Sequence, residues 1–329
     1  METTGARVLI LGAAGMIGRK LADRLARDGR IGGAALGPMT LADVVPPQAP
    51  RPGDTTLTAD LTRPGTAERL ISARPAVIYH LAAVVSGEAE ADFEKGYAVN
   101  LDGTRALFEA IRHAHLADGY CPRVIFTSSL AVYGAPLPDV IPDDHIRAPL
   151  SSYGIQKAMG ELLLDDYTRR GFLDGIGLRL PTICIRPGAP NKAASGFYSS
   201  ILREPLVGQE AVLPVPDTLR HWFASPRAAV AALVHAAGLD SSALGTRRTV
   251  TLPGVSATVA EQIEALRRVA GDAAVARIRR VPDPGVLAIV GGWPRAFATT
   301  RADALGFTAE ASMDAILAAH IEDELGGQI

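Results

Sequence analysis

The chain has 329 residues, 48% of them hydrophobic and 21% charged, with a formal net charge of −2. That length is enough to bury a large core in one or two domains, and the near-neutral charge excludes a nucleic-acid-binding surface built on an excess of basic residues. No apolar run in the sequence approaches the ~20 residues of a membrane span, so the expected setting is cytoplasmic, with no membrane partner.

The apolar run 7–11 predicts a buried strand, broken by Gly12. A helix is expected over 17–27, with Leu21 and Leu25 at i, i+4, then a glycine-rich loop through Gly29, Gly32, Gly33 and Gly37. Strands follow at 39–44, 57–61 and 76–83, separated by a proline-rich loop at 46–53 and a helix at 66–73. Long helices are expected at 97–115 and 153–170, flanking a strand at 123–128, with a further strand at 176–180. Strands alternating with helices, most strands largely apolar, imply a parallel sheet covered on both faces.

From Pro181 onward the pattern loosens. An extended segment at 212–216, helices at 226–238, 259–270 and 311–325, and a strand at 249–252 describe a smaller α/β lobe. The expected architecture is a Rossmann-type doubly wound α/β domain over 1–180 and a substrate lobe over 181–329, with 216–240 returning to the first. Of the two cysteines, Cys184 is flanked by Ile183 and Ile185 and reads as a buried thiol in a reducing compartment. Two cysteines do not make a metal site by themselves, and none is expected.

Gly12-Ala-Ala-Gly15-Met16-Ile17-Gly18 follows a strand and opens a helix, the context that gives a glycine motif its meaning. Such glycines allow a tight turn and close approach to a pyrophosphate, and the helix N-terminus supplies free N–H groups. Asp43, near the end of the second strand, is placed to accept from the adenosine ribose hydroxyls and to repel a 2′-phosphate, which favours NAD over NADP. It lies 25 residues beyond Gly18, more than the usual ~20, and the glycine-rich loop absorbs the excess. Arg51 is the one nearby cation. Asp60-Leu61 ends the third strand, either against an adenine edge or as a solvated turn. Leu81, Ala82 and Ala83 are small or apolar enough to let a cofactor approach the backbone, whereas His80 reads as a core histidine.

Tyr153 and Lys157 share one helix face at i, i+4. A neighbouring ammonium favours phenolate over phenol, which turns the tyrosine into a usable general base. Between this pair and the glycine motif lies Thr-Ser128-Ser129-Leu-Ala-Val-Tyr-Gly134.

Together with Asn100-Leu-Asp-Gly-Thr104 and His80-Leu-Ala-Ala83, these motifs resemble the extended short-chain dehydrogenase/reductases, the NAD-dependent epimerase/dehydratase group, over nearly the whole chain. The resemblance implies Tyr153 as base, Lys157 lowering its pKa and holding the nicotinamide ribose, and Ser129 orienting the substrate oxygen. It places Ser128, Asn100, Met16, Ile17 and Pro181 beside the cofactor. Stretches 84–90, 180–188 and 194–197 look like a branch that oxidises a four-carbon sugar acid at C2. For its carboxylate the candidates are Arg220, where the family's Arg-Asp-Tyr reads Arg220-His221-Trp222, with Ser86 and Asn191 as further substrate contacts. Arg186, Lys192 and Arg203 are either alternatives or surface charges. Other readings are a nucleotide-sugar epimerase or dehydratase that keeps its NAD, and a non-catalytic nucleotide sensor, though sensors typically lose the Tyr/Lys pair. The resemblance also implies a homodimer through the helices at 97–115 and 153–170.

Overall fold

The computed structural model describes residues 5–188 and 195–328. The chain divides into two compact units, the first made of Met1–Val132, Ser151–Arg179 and Val230–Val250, the second of Tyr133–Leu150, Leu180–Ala229 and Thr251–Ile329. The expected boundary at 181 therefore differs in two places. Residues 133–150 belong to the second unit, and the returning piece begins at Val230 rather than 216 because a strand at 249–251 adds to the main sheet.

In the first unit the strands are β1 (Ala6–Leu11), β2 (Arg30–Ile31), β3 (Ala34–Asp43), β4 (Thr55–Thr58), β5 (Val77–His80), β6 (Arg123–Ser129) and β7 (Asp174–Leu180). Its helices are α1 (Met16–Asp28), α2 (Thr66–Ile71), α3 (Ser86–Ala91), α4 (Phe93–Tyr97), α5 (Gly103–Asp118) and α6 (Ser152–Arg169). In the second unit lie β8 (Thr182–Ile183), α7 (Gly196–Leu206), β9 (Ala211–Leu213) and β10 (Arg220–Ala224). The helix α8 (Pro226–Gly238) and β11 (Thr249–Thr251) run across the unit boundary. The second unit continues with β12 (Val255–Thr258), α9 (Val259–Val275), β13 (Ile278–Arg280), α10 (Pro284–Val290), α11 (Thr300–Ala304) and α12 (Met313–Glu324).

The main sheet runs β11–β7–β6–β5–β1–β3–β2, with β4 also on β3. β1 pairs in parallel with β3 and β5, β3 with β4, and β5 with β6. Val8, Leu9, Ile10 and Leu11 are all buried, as a central strand covered on both faces requires. The chain leaves β1 towards β3 on one side and β5 on the other, so the strand order reverses there. In doubly wound sheets that crevice, at the carboxyl ends of the strands, is where ligands bind. Leu9, Ile78, Leu107, Phe108, Phe126 and Leu164 form the core of this unit.

The expected glycine-rich loop at 29–38 is instead a hairpin. Gly32 and Gly33 both take positive φ, so β3 starts at Ala34, five residues earlier than the apolar pattern suggests, and pairs antiparallel with β2. The expected helix over 97–115 is interrupted. α4 runs through a π-helical turn at Ala98–Asp102 into α5. One extra residue in that turn re-aims the side chains around Asn100, a device frequent at functional sites.

In the second unit β10 pairs antiparallel with β12 and parallel with β8, while β9 pairs parallel with β13. Its core contains Phe197, Tyr198, Ile201, Phe223, Leu266 and Leu317. Helix α9 opens on a Thr258/Glu261 capping box, and Gly271 breaks its helical geometry one residue past the expected end. No helix among the described residues is long and apolar enough to cross a membrane.

Candidate active site

The glycine motif turns from β1 into α1, and its three glycines differ in what they must avoid. Gly12 has φ +85°, and a Cβ there would meet the Ala82 nitrogen at 2.7 Å. A Cβ on Gly18 would sit 2.2 Å from the Gly12 carbonyl oxygen. Gly15 meets only that carbonyl, at 3.3 Å, and has an ordinary φ of −68°. Gly12 and Gly18 are thus demanded by the fold itself. Gly15 is tight only against that carbonyl, at the start of α1, where Met16 and Ile17 form the first turn without a side-chain cap.

Asp43 closes the other side of this loop. Its Oδ2 accepts from the Ala14 N–H at 2.9 Å and its Oδ1 from the Val45 N–H at 3.2 Å. Arg51 is held elsewhere, by Asp54 at 2.8 Å and the Gly37 carbonyl at 2.8 Å. Leu81 donates its N–H to the Leu11 carbonyl at 2.9 Å, so Leu81, Ala82 and Ala83 continue from β5 alongside the glycine turn. Asp60 accepts from the Thr62 N–H and hydroxyl at 2.9 and 2.7 Å, the geometry of a capped turn.

The second cluster centres on α6. Ser151 caps it, accepting from the Gly154 N–H at 3.2 Å. Lys157 is 2% exposed and donates to the Thr127 carbonyl at 2.9 Å. Its Nζ lies 5.8 Å from the Tyr153 ring centroid and 4.8 Å from that of Phe126. Burial pulls the Lys157 pKa down to about 8, with the Glu161 charge opposing the fall. Tyr153 itself is half-buried.

Asn100 is wholly inside. Its Oδ1 accepts from the Val84 N–H at 2.8 Å, and its Nδ2 donates to the Val84 carbonyl at 3.0 Å and to Gln156 Oε1 at 2.7 Å. It therefore ties the chain after β5 to α6, one residue from Lys157. His80 donates from Nε2 to Thr104 Oγ1 at 2.8 Å, because that hydroxyl already donates to the Asn100 carbonyl. Burial, aided by the Lys157 charge, pushes its pKa down to about 3, the neutral core histidine expected.

The two serines part company. Ser129, at the end of β6, is half-buried, and its Oγ accepts from the Ala131 N–H at 3.2 Å. Ser128 points the other way, as alternation along a strand requires, and donates to Glu161 Oε1 at 2.5 Å. Its hydroxyl is thus engaged in the core, so any cofactor contact falls to its backbone. Gln156, Glu161 and Arg179 are buried polar neighbours of this cluster that pattern reading missed. Glu161 had a signal, since it repeats the i, i+4 step beyond Lys157.

Ser86 begins α3 and is half-buried, and Asn191 lies outside the described residues. Pro181, also buried, follows β7. In the second unit Arg220 starts β10, donating to the Ser256 carbonyl at 3.1 Å and pairing with Glu261 at 3.2 Å. It lines a cavity of about 650 Å³ with Asp139, Thr218, Leu287 and Arg295. His221 and Trp222 are turned inward. His221 donates from Nδ1 to the Pro294 carbonyl at 2.9 Å and accepts from the Thr182 hydroxyl at 2.6 Å, and burial lowers its pKa to about 4. The Trp222 indole donates to the Leu252 carbonyl at 3.2 Å. Arg203 is not a surface charge. It is held by Glu204 at 2.5 Å and the Arg186 carbonyl at 2.6 Å, largely buried. Cys184 is buried and free, its thiol pKa pushed up to about 12 by burial.

Comparison with known proteins gives three findings. The sequence pattern of the NAD dependent epimerase/dehydratase family matches residues 8–237. The chain is 51% identical to D-erythronate dehydrogenase of Cupriavidus necator, over 96% of this chain and 98% of that one, and 42% identical to D-erythronate dehydrogenase of Haemophilus influenzae, over 97% and 100%. A solved structure described as the nucleoside-diphosphate-sugar epimerase from Agrobacterium tumefaciens is 61% identical, with a TM-score of 0.97 over 98% of this chain and 96% of that one.

Proposed function

The chain belongs to the NAD dependent epimerase/dehydratase family, and within it we propose that it oxidises D-erythronate at C2 to 2-dehydro-D-erythronate with NAD as acceptor. The single observation that carries the chemistry is Tyr153 one helical turn before a Lys157 that is buried and fixed on the Thr127 carbonyl. The substrate rests on the two relatives named D-erythronate dehydrogenase, which match over nearly their whole length.

The residues of the first unit fit NAD. The glycine turn Gly12–Gly18 carries no side chain at its three glycines, and α1 opens without a side-chain cap. Asp43 presents a carboxylate for ribose hydroxyls, while Arg51, bound to Asp54, is no partner for a 2′-phosphate. NAD, when bound, supplies the hydride acceptor. The chain supplies proton transfer and position. Tyr153 takes the proton of the C2 hydroxyl, Lys157 stabilises the resulting phenolate character, and the Ser129 hydroxyl orients the substrate oxygen. Asn100 keeps the chain after β5 and the first turn of α6 in register while this happens.

The name of the Agrobacterium structure favours a second reading, an epimerase that keeps its NADH. The inward-facing Trp222 argues against it, because that ring, hydrogen-bonded to Leu252, is not free to stack on a nucleobase. The deciding experiment follows absorbance at 340 nm with NAD and a panel of D-erythronate, L-threonate, D-threonate, glycerate and UDP-sugars. NADH formation with D-erythronate supports the dehydrogenase. Interconversion of UDP-sugars without NADH, or silence towards every four-carbon acid, overturns it. We also propose a homodimer through α5 and α6, whose exposed Leu116 and Leu162 would then be covered. Sedimentation as a monomer at micromolar concentration would refute that.

A further inference from the structure

Beneath the Tyr153/Lys157 pair lies an ion pair that the proposed chemistry does not use directly. Glu161, on α6 one turn after Lys157, is 0% exposed, and Arg179, on β7, is 7% exposed. They meet through two bonds, Nε to Oε1 at 2.8 Å and a terminal nitrogen to Oε2 at 2.7 Å. Ser128 adds its hydroxyl to Oε1 at 2.5 Å. Two side chains, from β6 and β7, thus converge on one buried carboxylate of α6.

Such an arrangement is a poor way to gain stability. Desolvating two charges costs several kcal/mol, and well-packed apolar replacements are often as stable or more so. A different return is visible in what lies above it. Lys157 is itself buried, and burial drives an ammonium to give up its proton. Around it, Tyr153 and Glu161 come from α6, and Arg179 from β7 stands behind Glu161. His80 from β5 is neutral at working pH, and β6 brings the Thr127 carbonyl and the Phe126 ring to Lys157, with its Arg123 paired to Asp174. Glu161, one helical turn from Lys157, acts against burial to keep the proton there.

We propose that Glu161, fixed in place by hydrogen bonds from Arg179 and Ser128, is a positioning residue that keeps Lys157 charged and so keeps Tyr153 competent as a base. This rests on the proposed role of the Tyr/Lys pair. Ser128, on this account, serves the site from behind the sheet through Glu161. Removing the carboxylate releases the Lys157 proton at lower pH, and the phenol then loses the cation that favours its ionised form.

The test reads tyrosinate directly, without substrate or cofactor. The absorbance titration near 295 nm is recorded for the unaltered protein, for Tyr153→Phe, for Glu161→Gln and for the double variant Glu161→Gln/Arg179→Met. The component missing in Tyr153→Phe reports Tyr153. It is expected to move up by about one pH unit in Glu161→Gln, a tenfold loss of phenolate at fixed pH. It should stay raised in the double variant, which carries no unpaired buried charge and guards against a folding defect in the single one. NAD affinity measured across the same pH range should lose its Lys157-dependent part at lower pH than in the unaltered protein. An unmoved Tyr153 component in folded variants overturns the proposal. So does failure of both variants to fold, which would make the network structural. A shifted titration in a protein that does not oxidise D-erythronate would sink the substrate assignment and leave this inference standing.

Discussion

In the first unit, Gly12, Asp43, Leu81 and Ser129 all stand at or just beyond the carboxyl ends of neighbouring parallel strands, with Lys157 held against one of them. In the second, Arg220 opens β10, and the two residues after it, where the chain departs from the family's Arg-Asp-Tyr, are engaged in internal hydrogen bonds to Pro294, Thr182 and Leu252. The contrast separates two design problems. A cofactor of constant shape is met by backbone geometry that a sheet supplies at its strand ends. A variable substrate is met by a few side chains on shorter sheets, and these can be lost to the core without disturbing the fold.

The largest effect that would break this comparison is at Tyr153. Tyr153→Phe should keep NAD affinity and lower kcat by ~10²–10⁴-fold, since that is what proton transfer is typically worth. Near-normal turnover would move the chemistry away from α6. The next prediction separates glycines that serve folding from the one that serves ligand. Gly18→Ala pushes a Cβ to 2.2 Å from the Gly12 carbonyl and should cost about 1–3 kcal/mol, read as a lowered Tm. Gly15→Ala, whose Cβ would meet the same carbonyl at 3.3 Å, should lower Tm less and weaken NAD binding. If calorimetry found the two equally destabilising, Gly15 would serve the fold rather than a ligand.

Arg220→Met tests the second unit. Its ion pair with Glu261 is half-exposed, so the fold should lose no more than ~1 kcal/mol. If Arg220 meets the substrate carboxylate, KM should rise by about 10–100-fold, the worth of a charge-assisted hydrogen bond, with kcat little changed. An unchanged KM would pass the role to another cation. The smallest effect is expected at Asp43. Asp43→Ser removes the charge that repels a 2′-phosphate, and the NAD/NADP ratio of kcat/KM should fall by roughly tenfold, the scale of a single screened charge near the surface. Equal use of both cofactors by the unaltered protein would show that Asp43 does not discriminate.

The sequence by itself determined the features whose physics is local. A strand breaking on Gly12, a helix with Tyr153 and Lys157 at i, i+4, and an aspartate at a strand end are each set by residues within a turn or two, and periodicity reports them. His80 as a core residue followed from its apolar neighbours. What only the tertiary structure decided depends on partners distant in the chain. β13 is a strand because β9 lies beside it, and the hairpin at Gly32–Gly33 depends on both glycines taking positive φ. The partner of the Ser128 hydroxyl is Glu161, 33 residues on, and the commitment of Arg203 and Trp222 is set by groups that folding brings to them. A short sequence window carries backbone preference and burial pattern. It does not carry which buried polar group finds which partner, and in this protein that pairing separates the side chains left for chemistry from those consumed by the fold.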